Sequence, residues 1–135
     1  YDYAAPCYRR KGDKKLVRIL LVDDEQELVE TLAERLGIRG IEARWATTGD
    51  TALERIDQEN FDLAVLDVKI PGISGIDLHK KMKAKDPRLK FIFMTGHGSH
   101  DDFTAGSAET GADYYLLKPV NIEELIDKMT KLMTQ

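Results

Sequence analysis

The sequence predicts an α/β protein built on a parallel sheet, and three observations lead to this fold class. Short apolar runs alternate with segments of helical periodicity along most of the chain. The runs are dense in Val, Leu and Phe, as in FDLAVLDV over residues 61–68, which is typical of strands covered on both faces. Several of the runs end in polar or charged residues. Five strands and five helices in alternation indicate a parallel sheet with helices on both faces.

The first strand and helix have clear boundaries. Residues 16–22, LVRILLV, form an apolar run that ends at consecutive acids. Residues 25–38 then carry Leu and Val side chains at helical spacing, and Gly37 and Gly40 favour the end of that helix.

A second strand and helix lead into the central apolar run. Residues 41–46 predict a short strand, and Thr47 or Thr48 can cap the helix that follows. That helix ends near Asn60, immediately before the strand over residues 61–68.

The middle of the chain combines a tight loop with a helix. Pro71, Gly72 and Gly75 predict a loop over residues 69–75. Ser74, with Asp77 three residues later, is typical of a helix N-terminus. The Asp86-Pro87 pair ends this helix, and residues 90–94 form a fourth strand.

The last third of the chain contains the weakest and the strongest helical patterns. Glycines, serines and threonines lower the helix propensity of residues 96–111, so we expect a loop and a labile helix there. Residues 112–117 predict a fifth strand. Asn121, with Glu124 three residues later, opens a strongly amphipathic final helix.

Length, charge and cysteine content limit the class of protein. The 135 residues suit one domain over residues 16–135, preceded at 1–15 by a disordered tail, a linker or a cloning remnant. No apolar run is long enough to span a membrane, and the single Cys7 cannot form an internal disulfide, so we expect a cytoplasmic protein. Residues 1–15 carry five Lys or Arg, but the remainder is acidic, which argues against direct nucleic-acid binding.

Polar side chains follow four of the predicted strands. Because the carboxyl ends of parallel strands meet at one edge of the sheet, we expect these side chains to converge. The set is Asp23, Asp24, Asp67, Thr95 and Lys118.

The chemistry of this set favours phosphoryl transfer. Three close carboxylates repel one another, and their hard oxygen donors suit Mg²⁺, which also recruits phosphate oxygens. Asp67 is the best-placed nucleophile for forming an aspartyl phosphate. Lys118 and Mg²⁺ would neutralise the phosphoryl oxygens, and Thr95 could donate its hydroxyl to them.

Together with Pro71-Gly72, Gly75 and Pro119, this set resembles the receiver domain of two-component response regulators over residues 16–135. The resemblance implies a flavodoxin-like three-layer sandwich with strand order 2-1-3-4-5. It implies that Asp67 is the phosphoacceptor and that Lys118 binds the phosphoryl group. It also implies an Mg²⁺ site in which Asp24 is a direct ligand, Asp23 acts mainly through water and Lys69 contributes its backbone carbonyl.

The resemblance further implies a switch and a set of partners. Thr95 matches the switch hydroxyl and Tyr115 the switch aromatic, which together change the face of the fourth helix, fifth strand and fifth helix. Lys69 and His97 occupy positions that tune phosphoryl lifetime, although Lys69 also fits a solvated loop residue. The phosphodonor would be a histidine kinase or a histidine phosphotransfer protein. The output would be a downstream protein or an output domain outside this chain, and the switch face also suits a homodimer.

The sequence also bears on other functions and on a zinc site. A phosphohydrolase with an aspartyl nucleophile usually has a second Asp two residues later, where this chain has Lys69. A nucleotide-binding module would need a phosphate-binding glycine motif that the sequence lacks. A receiver-shaped module that is never phosphorylated usually loses an acid or the lysine. His97 and His100 lack a third ligand for zinc.

Overall fold

One parallel sheet organises the protein, whose computed structural model describes residues 17–96 and 115–133. The sheet strands are β1 (Arg18–Val22), β2 (Glu42–Ala46), β3 (Leu63–Asp67), β4 (Lys90–Thr95) and β5 (Tyr115–Leu117). Their order across the sheet is β2-β1-β3-β4-β5, and every pair is parallel. The predicted fold class and the order 2-1-3-4-5 are therefore confirmed.

Helices cover both faces of this sheet. They are α1 (Gln26–Ile38), α2 (Gly49–Gln58), α3 (Gly75–Lys85) and α4 (Ile122–Met133). The final predicted helix is α4, whereas the helix expected within residues 96–111 falls almost entirely outside the described residues, as do His97 and the tail at 1–15. Within the described ranges, no helix is both long enough and apolar enough to cross a membrane.

Alternating side chains of the strands build two hydrophobic layers. In β1, Leu20 and Val22 pack with buried residues of α2 and α3, while Ile19 and Leu21 pack with those of α1 and α4. A strand buried on both faces must be apolar along its whole length, which explains the unbroken apolar runs in the sequence.

Side-chain caps fix the starts of three helices. Thr48 accepts a hydrogen bond from the Thr51 backbone N–H at 3.1 Å, and Ser74 accepts one from the Asp77 N–H at 3.1 Å. Asn121 caps α4 by accepting from the Glu124 N–H at 3.0 Å. The cap predictions are confirmed, and for α2 the choice between two threonines is resolved in favour of Thr48.

The prediction of a tight loop over residues 69–75 is confirmed at the Pro71-Gly72 turn, but the residues on either side of the turn are paired strands. Lys69–Ile70 and Ile73–Ser74 pair as a two-stranded antiparallel hairpin. Gly72 has a positive φ of 91°, which a glycine adopts without strain, so the Pro71-Gly72 turn can reverse the chain.

Gly75 brings α3 close to the end of β3. A Cβ atom at this position would overlap the Asp67 carbonyl oxygen and would lie 2.8 Å from the Val68 Cα atom. The Gly75 N–H instead donates to the Val68 carbonyl at 2.8 Å. The absence of a side chain therefore lets the helix start directly beside the candidate site.

Candidate functional site

Three carboxylates meet at the carboxyl edge of the sheet. Asp23 and Asp24 follow β1, and Asp67 is the last residue of β3. One oxygen from each lies within 4.8 Å of the others, and we call these three residues the acid cluster. Asp23 is fully buried and Asp67 is 6% exposed, whereas Asp24 is open to solvent.

Lys118 lies beside the acid cluster. Its ammonium nitrogen is 2.6 Å from Asp23 Oδ2, 3.0 Å from Asp67 Oδ2 and 3.0 Å from Glu25 Oε1. The Lys118 backbone N–H donates to the Thr95 carbonyl at 2.9 Å, which ties the lysine to the end of β4. A residue that follows the edge strand β5 is thereby placed over the middle of the sheet.

Burial and charge act in opposite directions on these groups. Burial, with the nearby Asp67 carboxylate, raises the pKa of Asp23 to about 6, although the Lys118 ammonium and the Glu25 backbone N–H oppose the rise. Burial alone would lower the pKa of Lys118, but its contacts with Asp23, Asp67 and Glu25 outweigh that effect and raise it. Lys118 is therefore a permanent cation at neutral pH.

Backbone donors orient the two buried acids. The Glu25 N–H donates to Asp23 Oδ1 at 3.0 Å, and the Lys69 N–H donates to Asp67 Oδ1 at 3.1 Å. Each buried carboxylate thus has one oxygen held by the backbone and the other held by Lys118. Side chains held in this way need little reorganisation when a ligand binds.

Thr95 and Tyr115 lie on the paired strands β4 and β5, offset by two residues in register, because Thr95 pairs with Leu117 and Tyr115 pairs with Phe93. Thr95 is buried, and its hydroxyl faces the Gly96 carbonyl at 3.5 Å, at the limit of a hydrogen bond. The Tyr115 ring is also buried and stacks on Phe93, with ring centroids 5.1 Å apart. Phe93 precedes Thr95 by two residues on β4, so the two candidate switch residues share one strand neighbour.

Glu25 is a member of the site that sequence reasoning missed. In the sequence it is one of three consecutive acids after the first strand, and no pattern gives it a role. An acid before a helix usually caps it or is solvated, so nothing local distinguishes it. Its partner Lys118 is 93 residues away, and only the folded sheet brings the pair together.

The acid cluster fits a divalent cation. Three carboxylates contact one ammonium group and Asp24 adds a fourth acid beside them, so the described part of the site has an excess of negative charge. The donors are all oxygen atoms, and exposed Asp24 leaves a route from solvent. Burial is the main cause of the elevated pKa of Asp23, and the neighbouring Asp67 carboxylate adds to it, so a bound cation would favour the charged form of this buried acid.

An open cleft of about 1390 Å³ borders the site. It lies between the start of α2 and the hairpin that follows β3, and Asp24 and Lys69 are among its lining residues. The acid cluster is therefore open to this cleft at Asp24.

Comparisons with known proteins agree with this geometry. The family model described as "Response regulator receiver domain" matches residues 19–130. Sporulation initiation phosphotransferase F of Bacillus subtilis is 36% identical over 116 residues, which cover 86% of this chain and 93% of that protein. The two-component response regulator PhoP of Pseudomonas aeruginosa is 33% identical over 117 residues, covering 87% of this chain. The chain spans only about half of PhoP, 52% of its length.

A solved structure extends the similarity to three dimensions. The response regulator protein TrrA of Thermotoga maritima, in complex with Mg²⁺-BeF, superposes with a TM-score of 0.74 at 38% identity. The match covers 87% of this chain and 99% of TrrA.

Proposed function

This chain belongs to the response regulator receiver domain family of two-component signalling, and we propose that it signals by accepting a phosphoryl group on Asp67. One observation carries the proposal: Asp67 ends the central strand with one oxygen held by the Lys69 N–H and the other by Lys118, inside the acid cluster. A carboxylate fixed in this way is preorganised for attack on phosphorus.

The transfer step uses only groups present at this edge and a phosphodonor. An Asp67 carboxylate oxygen forms a bond to phosphorus while the bond from phosphorus to the donor nitrogen or oxygen breaks, and the donor keeps that electron pair. Lys118, already within 3.0 Å of Asp67, supplies positive charge to the equatorial oxygens. Loss of the phosphoryl group would follow from attack of water on the same phosphorus.

Asp23, Asp24 and Asp67 would hold a divalent cation, which we propose is Mg²⁺, together with the backbone carbonyl of Lys69. When bound, this ion supplies positive charge to the phosphoryl oxygens. Support comes from the convergence of three carboxylates and from the relative TrrA, whose structure contains Mg²⁺-BeF. Asp24 is the exposed ligand, and buried Asp23 is better suited to an indirect role through water.

The switch is proposed to run through Thr95 and Tyr115. The Thr95 hydroxyl has only a marginal hydrogen bond within the described residues, so it can turn toward a phosphoryl oxygen at little cost. A movement of Thr95 would reach Tyr115 through the paired strands β4 and β5 and through Phe93, which stacks on the Tyr115 ring. Lys69 is exposed beside Asp67, where it can tune the access of water to the phosphoryl group, and we propose the same role for His97.

The partners follow from the family. We propose that a histidine kinase or histidine phosphotransfer protein supplies the phosphoryl group. The face formed by β5, α4 and the helix predicted within residues 96–111 would carry the output to a downstream protein, to an output domain or to a second copy of this chain. On this account the domain catalyses its own Mg²⁺-dependent phosphorylation and dephosphorylation and acts on no separate substrate.

Intact mass spectrometry tests the proposal. The protein is incubated with a small phosphodonor such as acetyl phosphate and Mg²⁺, and in parallel with a chelator. We expect the wild type to gain one phosphoryl group only when Mg²⁺ is present, and Asp67→Asn to gain none. Asp62→Asn is a matched control, because Asp62 precedes β3 at the opposite edge of the sheet and should leave loading unchanged. A wild type that never gains mass would refute the proposal.

The switch needs its own test. Thr95→Ala should still be phosphorylated but should show a much smaller change in the NMR signals of the Tyr115 ring on phosphorylation. Thr95→Ser keeps the hydroxyl and should retain that change. An unaltered response in Thr95→Ala would place the switch elsewhere.

A further inference from the structure

We propose that Glu25 is a competing anion that occupies Lys118 in the unphosphorylated domain and must release it before the phosphoryl group binds fully. The inference rests on the proposed function, since it concerns the same lysine. According to this inference, Glu25 limits the rate at which Asp67 is phosphorylated.

The hydrogen-bonding capacity of Lys118 is the starting point. An ammonium group has three N–H donors and no acceptor. Asp23, Asp67 and Glu25 each place one carboxylate oxygen within 3.0 Å of the nitrogen. Lys118 donates hydrogen bonds to Asp67 and Glu25, whereas its contact with Asp23 is an ion pair without hydrogen-bond geometry. Because three carboxylate oxygens already crowd the nitrogen, an incoming phosphoryl oxygen has to displace one of them.

Glu25 is the carboxylate that can leave. The Asp23 side chain is fully buried and is held by two partners, so its release would leave a charge unpaired in the interior. Asp67 is itself the acceptor. The Glu25 side chain is 62% exposed, so water can solvate its carboxylate as soon as it separates from Lys118.

The backbone around Glu25 indicates that this contact is built into the fold. Glu25 is the N-cap residue of α1, yet its side chain makes no capping hydrogen bond and extends to Lys118 instead. Its backbone N–H donates to Asp23 Oδ1, while Asp23 Oδ2 contacts Lys118. Asp23 therefore fixes both ends of the Glu25–Lys118 pair.

Competition at Lys118 has a defined consequence. An exposed ion pair shifts an equilibrium by about two- to five-fold. Because Glu25 must separate from Lys118 before the phosphoryl group binds there, removing its charge should raise the loading rate by that factor. The gain should shrink at high ionic strength, where exposed charges are screened.

The test compares the wild type, Glu25→Gln and Glu27→Gln. Glu27 is an exposed acid in the first turn of the same helix, so the control removes an equal charge two residues away. Loading by acetyl phosphate is followed by intact mass at saturating Mg²⁺ and low salt. Binding of beryllofluoride with Mg²⁺, followed by ¹⁹F NMR, gives a second readout that involves no covalent chemistry.

We expect Glu25→Gln to load about two- to five-fold faster than the wild type and to bind beryllofluoride at correspondingly lower concentration, with Glu27→Gln close to the wild type. Equal rates for Glu25→Gln and the wild type would overturn the inference and leave the proposed function intact. An equal gain in both variants would also overturn it, because general repulsion of the donor would then explain the effect. A wild type that does not load at all would defeat the proposed function itself.

Discussion

The two edges of the central sheet handle charge in opposite ways. At the carboxyl edge, the acid cluster and Glu25 share one cation, Lys118. At the opposite edge, a set of ion pairs that we call the amino-edge network alternates acids and bases at distances from 2.6 to 3.5 Å. Its members are Arg18, Glu42, Arg44, Arg55 and Glu59.

The ion pairs at one edge of the sheet stabilise the fold, whereas the excess negative charge at the other edge provides a binding site. In the amino-edge network, Glu59 contacts three guanidinium groups and Glu42 contacts two, so each acid has basic partners within the fold. At the carboxyl edge, compensation is incomplete, and the site retains an affinity for a cation and a phosphoryl group. A charge imbalance that costs stability is thus the property that makes this edge a binding site.

Steric crowding gives the largest expected difference between the two edges. Gly75→Ala would force a Cβ atom into the Asp67 carbonyl and should lower the free energy of unfolding by about 3 kcal/mol. Gly37 lies near the C-terminus of α1, and a Cβ atom there would have no neighbour within 4 Å. Gly37→Ala should therefore raise the free energy of unfolding by about 0.5–1 kcal/mol. Urea unfolding measures both. Equal stabilities for the two variants would show that α3 does not approach β3 so closely.

The second largest expected effect is the change with pH in the free energy of unfolding of the metal-free protein. The pKa of Asp23 is raised in the folded state to about 6, above its ordinary value of 3.8, so the folded protein binds this proton more tightly than the unfolded chain does. The resulting stabilisation is present below pH 3.8 and is lost as the pH rises to 6. It amounts to up to about 3 kcal/mol.

A variant that cannot titrate isolates this effect. In urea unfolding between pH 4 and 7, Asp23→Asn should gain stability relative to the wild type as the pH rises. A constant difference between Asp23→Asn and the wild type would contradict the raised pKa.

Neutralising one acid at each edge should change metal-free stability in opposite directions. Asp67→Asn relieves repulsion and should raise the free energy of unfolding by about 1 kcal/mol, while also reducing the stabilisation by Mg²⁺. Glu59→Gln leaves three guanidinium groups without their shared acid and should lower it by about 1–2 kcal/mol. Thermal unfolding with and without Mg²⁺ measures both. If both substitutions changed the free energy of unfolding in the same direction, the two edges of the sheet would not differ in how they compensate charge.

The sheet was predictable because strand burial leaves a direct trace in the sequence. Runs such as residues 63–66 are apolar throughout, and the short capping side chains Thr48, Ser74 and Asn121 mark helix starts locally. The hairpin after β3 was missed because the Pro71-Gly72 turn predicts a chain reversal without specifying that the flanking residues pair.

The sequence identified a residue of the candidate site only where that residue stands at the end of a predicted strand. Asp23, Asp24, Asp67 and Lys118 met this condition, and the structure brings them together. Glu25 lies within the same acidic run, but its contact depends on the path of a chain segment 93 residues away. His79 was not recognised as a core residue either, because its burial depends on ring contacts with Phe91 and Phe93 on β4.

The central claim is that Asp67, among several neighbouring acids, forms the bond to phosphorus. Borohydride reduction of the protein loaded with acetyl phosphate and Mg²⁺ converts an aspartyl phosphate to homoserine, and peptide mass mapping locates it. We predict homoserine at position 67 alone, and none in Asp67→Asn. Homoserine at position 23 or 24 would contradict the account. So would the absence of homoserine from protein that has gained a phosphoryl group.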